Sequence, residues 1–325
     1  MSTDPDTDHA PAGGQGAAGQ APATALLRAL EELGYDFLAP TPASHTRVIA
    51  RDKDRTGRDL ADLLGWSLPC HEDALPEAVL RALDAAGWLE RRPGGLIAAR
   101  IRVSRVFGNL FIHSRFPTLE QDAVFLGPDS HRFGDYILRN IDGLPGTCRV
   151  LDYGAGAGVG GITAATRLPG AFLTLADINP KALALADANA SHAGVEHDLA
   201  EASDPGDLAR SFDLVVMHPP FMIDAERRAY RDGGDLYGGQ LSLDWALAGA
   251  GLLAPHGRLV MHTGVSIVAG RDVLRDALAD YLPGAGYALD YRLLDPDIFG
   301  DELSSPAYAD VDRIAAVGLR IDRIA

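Results

Sequence analysis

Arg149 to Ile162 reads R-V-L-D-Y-G-A-G-A-G-V-G-G-I. A short apolar run, Val150 and Leu151, ends in Asp152, and glycines follow at 154, 156, 158, 160 and 161. Apolar residues bounded by a glycine cluster predict a buried parallel strand running into a tight turn. Glycine admits positive φ and lets a ligand approach where a Cβ would clash. A helix starting in the turn adds unpaired N–H groups and the positive end of its dipole. Gly156, Gly158 and Gly161 satisfy G-x-G-x-x-G, and Asp177 follows Gly156 by 21 residues, as in a dinucleotide fold. The loop alone leaves the cofactor open.

The flanking chain alternates strand and helix. Phe172–Ala176 reads as strand two, and Pro180 opens a helix to about Asn189. Gly194–Glu196 is expected as strand three and Leu214–Met217 as strand four. A helix over Leu241–Leu253 and a strand over Arg258–His262 follow, with Tyr287–Leu293 and Ala315–Ile321 as strands six and seven. This alternation predicts an α/β, Rossmann-like, seven-stranded sheet whose carboxyl ends form the ligand crevice. Asp177, closing strand two, is placed to accept from ribose hydroxyls. Asp198, expected at the end of strand three, is placed to accept from an adenine amine. Together with the glycine loop they point to an adenosine-containing cofactor.

Strand four separates the cofactors. It reads F-D-L-V-V-M-H-P-P-F, Phe212 to Phe221, and a buried strand running into Pro-Pro does not suit a dehydrogenase. A proline pair is rigid and donates no N–H, so nearby carbonyls stay free to hold a substrate. His218, Pro219, Pro220 and Phe221 resemble the N-P-P-[YF] motif of class I S-adenosylmethionine (SAM) methyltransferases acting on amino and amide nitrogens. Asp152-x-Gly154-x-Gly156-x-Gly158 resembles the first motif of that class. Pro128-Asp129-Ser130 resembles the R-P-[DE]-T segment of the glutamine methyltransferases of release factors, and Asp177-Ile-Asn-Pro-Lys-Ala-Leu183 their second motif. Arg231 to Gly239 and L-L-A-P-H-G-R-L-V-M resemble their glycine segment and fifth strand. The likeness covers about Phe125 to Val265 and overlaps the small-domain RNA guanine methyltransferases.

The resemblance implies SAM as cofactor, held by Asp129, Asp152, Gly154, Gly156, Gly158, Asp177, Asn179 and Asp198. It implies His218, Pro219, Pro220 and Phe221 at the acceptor, and no metal. The chain departs from the pattern at His218, where the family has asparagine. Imidazole can accept from a substrate N–H or remove a proton, whereas asparagine cannot act as a base. Nitrogen and oxygen nucleophiles are both open.

Residues 1 to about 22 are small and polar and are expected to stay disordered. Thr24 is expected to cap a helix bearing Leu26, Leu27, Leu30 and Leu33, followed by helices near Arg58–Leu64 and from Pro76 to Gly87. Trp66 and Trp88 are expected to plug the core under helix-ending glycines. Leu96–Val103 and Val106–His113 read as two strands, so residues 23–115 form a smaller helical, winged-helix-like α+β domain ahead of a methyltransferase domain at 116–325. Leu294–Ala309 is expected to pack on the surface, with the acceptor pocket as its alternative place.

The net charge of −16 disfavours a phosphate backbone as main partner. Six arginines (91, 92, 100, 102, 105, 115) nonetheless lie between Arg91 and Phe116 without an acid. Two cysteines without metal or disulfide spacing, no apolar run of membrane length and no signal-like start suggest a cytoplasmic protein. The leading expectation is a methyltransferase acting on a small metabolite or protein side chain. An RNA or nucleobase N-methyltransferase and a non-catalytic SAM-binding regulator are the alternatives.

Overall fold

Val150 and Leu151 are both fully buried, yet they point to opposite faces of one sheet and belong to different apolar cores. A strand covered on both faces carries such an unbroken apolar run, and successive side chains alternate between the faces. The computed structural model describes residues 17–52, 55–208, 211–282 and 286–324. In chain order its elements are α1 (Ala17–Glu32), α2 (Pro42–Ile49), α3 (Leu60–Leu64), β1 (Cys70–His71), α4 (Glu77–Ala85), β2 (Leu89–Arg92), β3 (Leu96–Ala99), β4 (Ile101–Val106) and β5 (Asn109–Ser114). There follow α5 (Pro128–Leu138), β6 (Arg149–Tyr153), α6 (Val159–Ala165), β7 (Phe172–Asp177), α7 (Pro180–His192), β8 (His197–Glu201) and β9 (Phe212–Met217). The chain closes with α8 (Gln240–Gly251), β10 (Leu253–Val268), β11 (Arg271–Asp272), α9 (Val273–Tyr281), β12 (Tyr287–Ile298) and β13 (Arg313–Arg323).

The main sheet runs β12-β13-β10-β9-β6-β7-β8, with β11 paired to β10. From β8 to β10 neighbouring strands are parallel, and β13 and β12 add antiparallel. The strand order reverses between β6 and β9, and the crevice beyond the strand ends at such a switch point is where open α/β sheets bind ligands. The seven-stranded Rossmann-like architecture expected from the sequence is present.

Ahead of it, α3, β1, α4, β2 and β3 give helices and a three-stranded sheet in the order β1-β3-β2, matching the winged-helix-like expectation. The arginine ribbon divides differently from the expected pair of strands. β3 pairs with β2, while β4 pairs with β5, because the chain bends at Arg100. Thr24 lies inside α1 and is no cap, and Ala17–Pro22 are helical where disorder was expected. Residues 1–16 of that expected tail lie outside the described residues. α2 was not foreseen; Thr41 caps it by accepting from Ser44 N–H at 3.1 Å. Trp66 and Trp88 are half-buried and pack against the core's margin.

The third strand also starts later than expected. Gly194 (φ 69°) ends α7, with Val195 N–H donating back to the Ala190 carbonyl at 3.0 Å, so β8 begins at His197. A left-handed glycine after the last helical turn is a common helix stop.

One apolar core joins the N-terminal elements to the sheet layer. It holds Leu26, Leu27 and Leu30 of α1, Phe111 of β5 and Leu185 and Ala186 of α7. Asn189 of α7 is the polar joint within it. Its Oδ1 accepts from Ile112 N–H at 2.9 Å, while Nδ2 donates to the carbonyls of Ile112 (3.2 Å) and Ala157 (2.9 Å). Asn189 thus ties β5 to the glycine loop. No helix among the described residues is long and apolar enough to cross a membrane.

Asn189→Leu should leave one N–H and two carbonyls buried without partners. At about 1–3 kcal/mol for each unsatisfied group, denaturant unfolding should report a loss of several kcal/mol. A loss under about 0.5 kcal/mol, the surface-substitution range, would show that the joint contributes nothing.

Candidate active site

A cavity of about 250 Å³ lies over the carboxyl ends of β6, β7, β8 and β9. Of the residues singled out in the sequence, Asp129, Asp152, Gly154, Gly156, Asp177, Asn179, His218, Pro219, Pro220 and Phe221 line it. Gly158 and Asp198 do not. Gly158 (φ 80°) caps the start of α6 instead. Asp198 sits near the beginning of β8, paired in register with Thr174, because the strand starts after the helix-ending Gly194. The end of β8 delivers Ala202 and Ser203 to the cavity in its place.

The cofactor end is shaped by backbone. Gly154 and Ala155 both donate to the Ala176 carbonyl, at 2.9 and 3.0 Å, which folds the glycine loop over the end of β7. Asp177 accepts from Gly156 N–H at 2.9 Å and from Asn179 N–H at 2.8 Å. Burial holds its carboxyl above the usual carboxylate range. Asp152, buried at the root of the loop, accepts from Gly161 N–H at 2.7 Å, and burial pushes its carboxyl up to about 7. Gly156 has φ +54°, and the nearest atom to where its Cβ would stand is Val124 Cγ1 at 4.0 Å. The room a side chain would take there is open cavity.

The acceptor end is built on the turn after β9. His218 Nδ1 lies 2.9 Å from the carbonyl oxygen of His262, on β10. A carbonyl only accepts, so this nitrogen carries the proton and Nε2 bears the lone pair. Burial lowers the pKa of His218 below its ordinary value, so the ring is neutral at neutral pH. Phe133 stacks on it with centroids 5.3 Å apart and planes at 23°. Met222, just past the motif, donates to the Arg231 carbonyl at 3.0 Å and accepts from Gly233 N–H at 2.8 Å. At Gly238 (φ +86°) a Cβ would meet the Phe221 carbonyl oxygen at 2.5 Å, so the glycine segment is what lets the chain wrap the motif's backbone.

Residues 294–309 are not a mere surface loop. Phe299 lines the cavity, its ring 5.8 Å from that of Phe221. The buried Tyr308 accepts from Ile223 N–H at 2.7 Å through its hydroxyl, and Glu302 pairs with Arg231 at 2.7 Å. Ile298 and Tyr308 share an apolar cluster with Phe221 and Met222. Several lining residues went unread in the sequence, among them Pro42, Phe133, Tyr230, Arg231 and Trp245. Only Arg231 had a signal, as the first residue of the glycine segment.

The methyltransferase small domain model matches residues 134–231, which hold both the glycine loop and the H-P-P-F turn. The chain is a class I SAM-dependent methyltransferase. The enzyme is similar to the release factor glutamine methyltransferase of Deinococcus radiodurans, 29% identical over 244 residues, 71% of this chain and 80% of that protein. It is also similar to the ribosomal RNA small subunit methyltransferase C of Pseudomonas putida, 33% identical over 85 residues. That match spans 26% of this chain and 25% of the relative. Among solved structures, TrmN from Thermus thermophilus aligns at TM-score 0.39 and 21% identity, covering 76% of this methyltransferase and 66% of that chain.

The donor set fits SAM: an open glycine cradle, a carboxylate at the end of the second strand and backbone at the end of the third. Asp177→Ala should weaken SAM and S-adenosylhomocysteine binding by roughly 1.5–3 kcal/mol, the scale of hydrogen bonds to a charged group. Titration calorimetry checks this, and unchanged affinity would remove Asp177 from the cofactor site.

Proposed function

We propose that the methyltransferase acts on a nitrogen or oxygen nucleophile of a small metabolite or protein side chain, and that it works in the cytoplasm. The observation that carries this reading is the acceptor end of the cavity. Phe133, Phe221, Tyr230 and Phe299 line it, Pro42 of the N-terminal elements joins them, and Arg231, its one arginine among the described residues, is held by Glu302.

The arginine ribbon, apart from the exposed Arg100, supports the same reading. Arg91 pairs with Asp84 at 2.8 Å, Arg92 with Glu90 at 3.3 Å, Arg105 with Glu31 at 3.2 Å and Arg115 with Glu90 at 3.1 Å. Arg102 is buried, donating to the Gly65 carbonyl at 2.8 Å. Guanidinium groups bonded to the protein's own acids are poor ligands for phosphates, which are held by free Lys and Arg charge.

In this reading Asp177 accepts from the ribose hydroxyls, with Gly154, Gly156 and Asn179 shaping its surroundings. Ala202 and Ser203 edge the adenine, and Asp129 and Asp152 face the cofactor's remaining polar groups. When bound, SAM supplies an electrophilic methyl carbon. The protein's own part is positioning: the Pro219-Pro220 turn fixes the acceptor, Phe221 and Phe299 flank it, and His218 Nε2 accepts its hydrogen bond. Holding reactants in near-attack geometry supplies much of such catalysis.

Cell extract divided into small molecules, protein and RNA, then incubated with methyl-labelled SAM, tests the acceptor. Label is expected among small molecules or protein; label confined to RNA would overturn the proposal in favour of a nucleobase acceptor. His218→Ala should leave SAM affinity nearly intact while turnover falls roughly 10²–10⁴-fold, the span of a positioned acid–base group. His218→Asn keeps an acceptor but takes no proton, so a largely active variant assigns orientation and a crippled one assigns base catalysis. Base catalysis also requires kcat/KM to rise with pH as His218 loses its proton, through a value below the ordinary histidine pKa. Full activity in His218→Ala would exclude both roles.

A further inference from the structure

His262 has no place in the sequence motifs, yet it is fully buried on β10 directly behind His218. Its ring Nδ1 lies 3.0 Å from His218 Nδ1, the same nitrogen that donates to its own main-chain carbonyl. That carbonyl forces the proton onto His218 Nδ1. Nδ1 of His262 is therefore an acceptor, and its ring proton sits on Nε2. That Nε2 is buried and has no hydrogen-bond partner among the described residues. A leucine or phenylalanine here would avoid the unsatisfied group, and buried polar groups of this kind call for an explanation other than packing.

We propose that His262 is a positioning residue for His218. Its carbonyl and its ring nitrogen share the Nδ1–H of His218, turn the Nε2 lone pair toward the acceptor and stabilise the imidazolium formed when Nε2 takes a proton. In that transfer the acceptor's X–H bond breaks, its electron pair stays on X as the nucleophilic pair, and the proton goes to Nε2. The Nδ1–H bond then becomes charge-assisted, which strengthens it. The charged groups facing the pair are Asp129 and Arg132 of α5, bonded to each other at 2.8 Å, with Arg132 also held by Asp295 at 3.0 Å. Burial keeps His262 neutral, its pKa well below the ordinary histidine value, so it acts as an acceptor and not as a second cation.

The proposal rests on the H-P-P-F turn being the acceptor site, but its test needs no acceptor. Long-range proton–nitrogen NMR on protein labelled in its histidine rings reads tautomer and titration directly. At neutral pH, His218 is expected to show a protonated Nδ1 and a bare Nε2. His262→Phe removes the ring acceptor and keeps the carbonyl, so the pKa of His218 should fall by about one unit or more, since a hydrogen bond to the charged form is lost. His262→Asn places an amide oxygen near the lost Nδ1 and should restore most of the shift. Retained S-adenosylhomocysteine binding certifies the fold of each variant. A wild-type His218 protonated on Nε2 would overturn the proposal, as would identical His218 titrations in folded wild type and His262→Phe. If His262→Phe does not fold, His262→Leu takes its place in the titration, and the wild-type tautomer remains an independent test. Failure of the acceptor reading shows up separately, as label in RNA with the histidine pair behaving as described.

Discussion

Two backbone N–H groups, those of Gly156 and Asn179, converge on the carboxylate of Asp177. Asp177 ends β7, Gly156 lies in the loop after β6, and Asn179 caps α7 by accepting from Lys181 N–H. One side chain therefore joins two strand ends and a helix start where the strand order prepares a crevice. The carboxyl ends of β8 and β9 become useful because this corner is rigid: they open onto a surface whose shape is already set. A buried carboxylate is costly unless donors compensate it, and here one of the donors, Gly156, belongs to the glycine loop that shapes the cavity.

Cofactor and acceptor ends obey different physics. The first is made of backbone and carboxylates at strand ends. The second is made of rings on a rigid turn and is closed from outside by chain segments far apart in sequence. Residues 294–309 buttress the turn from one side through Tyr308, and the glycine segment wraps it from another. The outer segment at 294–309 also reaches the cofactor side, through Asp295, which holds Arg132 against Asp129.

The legibility of the sequence follows the same division. The glycine loop, Asp177 and the H-P-P-F turn are local signals, because each demands particular residue types over a few consecutive positions. Asp198 was misplaced because Gly194 reads equally well as the start of a strand and as the end of a helix. Phe299 was legible only as part of the insert at 294–309, whose alternative place was the acceptor pocket, because the left-handed φ of 55° that aims it is set by its surroundings. His262 is one of several polar residues on β10, with Arg258, Thr263 and Ser266, and only the parallel register that sets Met261 beside Met217 brings it behind His218. The winged-helix-like order was readable from helix stops, whereas the division of the ribbon at Arg100 depended on which strands were free to pair.

The amide of Asn189 carries a consequence for how the enzyme is assembled. Because it spans Ile112 of the N-terminal hairpin and Ala157 of the cofactor loop, the order of one is thermodynamically linked to the order of the other. A ligand that steadies the loop must raise the resistance of the hairpin to local opening, and loosening the hairpin must lower cofactor affinity by the same free energy. Through Asn189 the N-terminal hairpin is thus tied to the loop that shapes the cofactor end of the cavity.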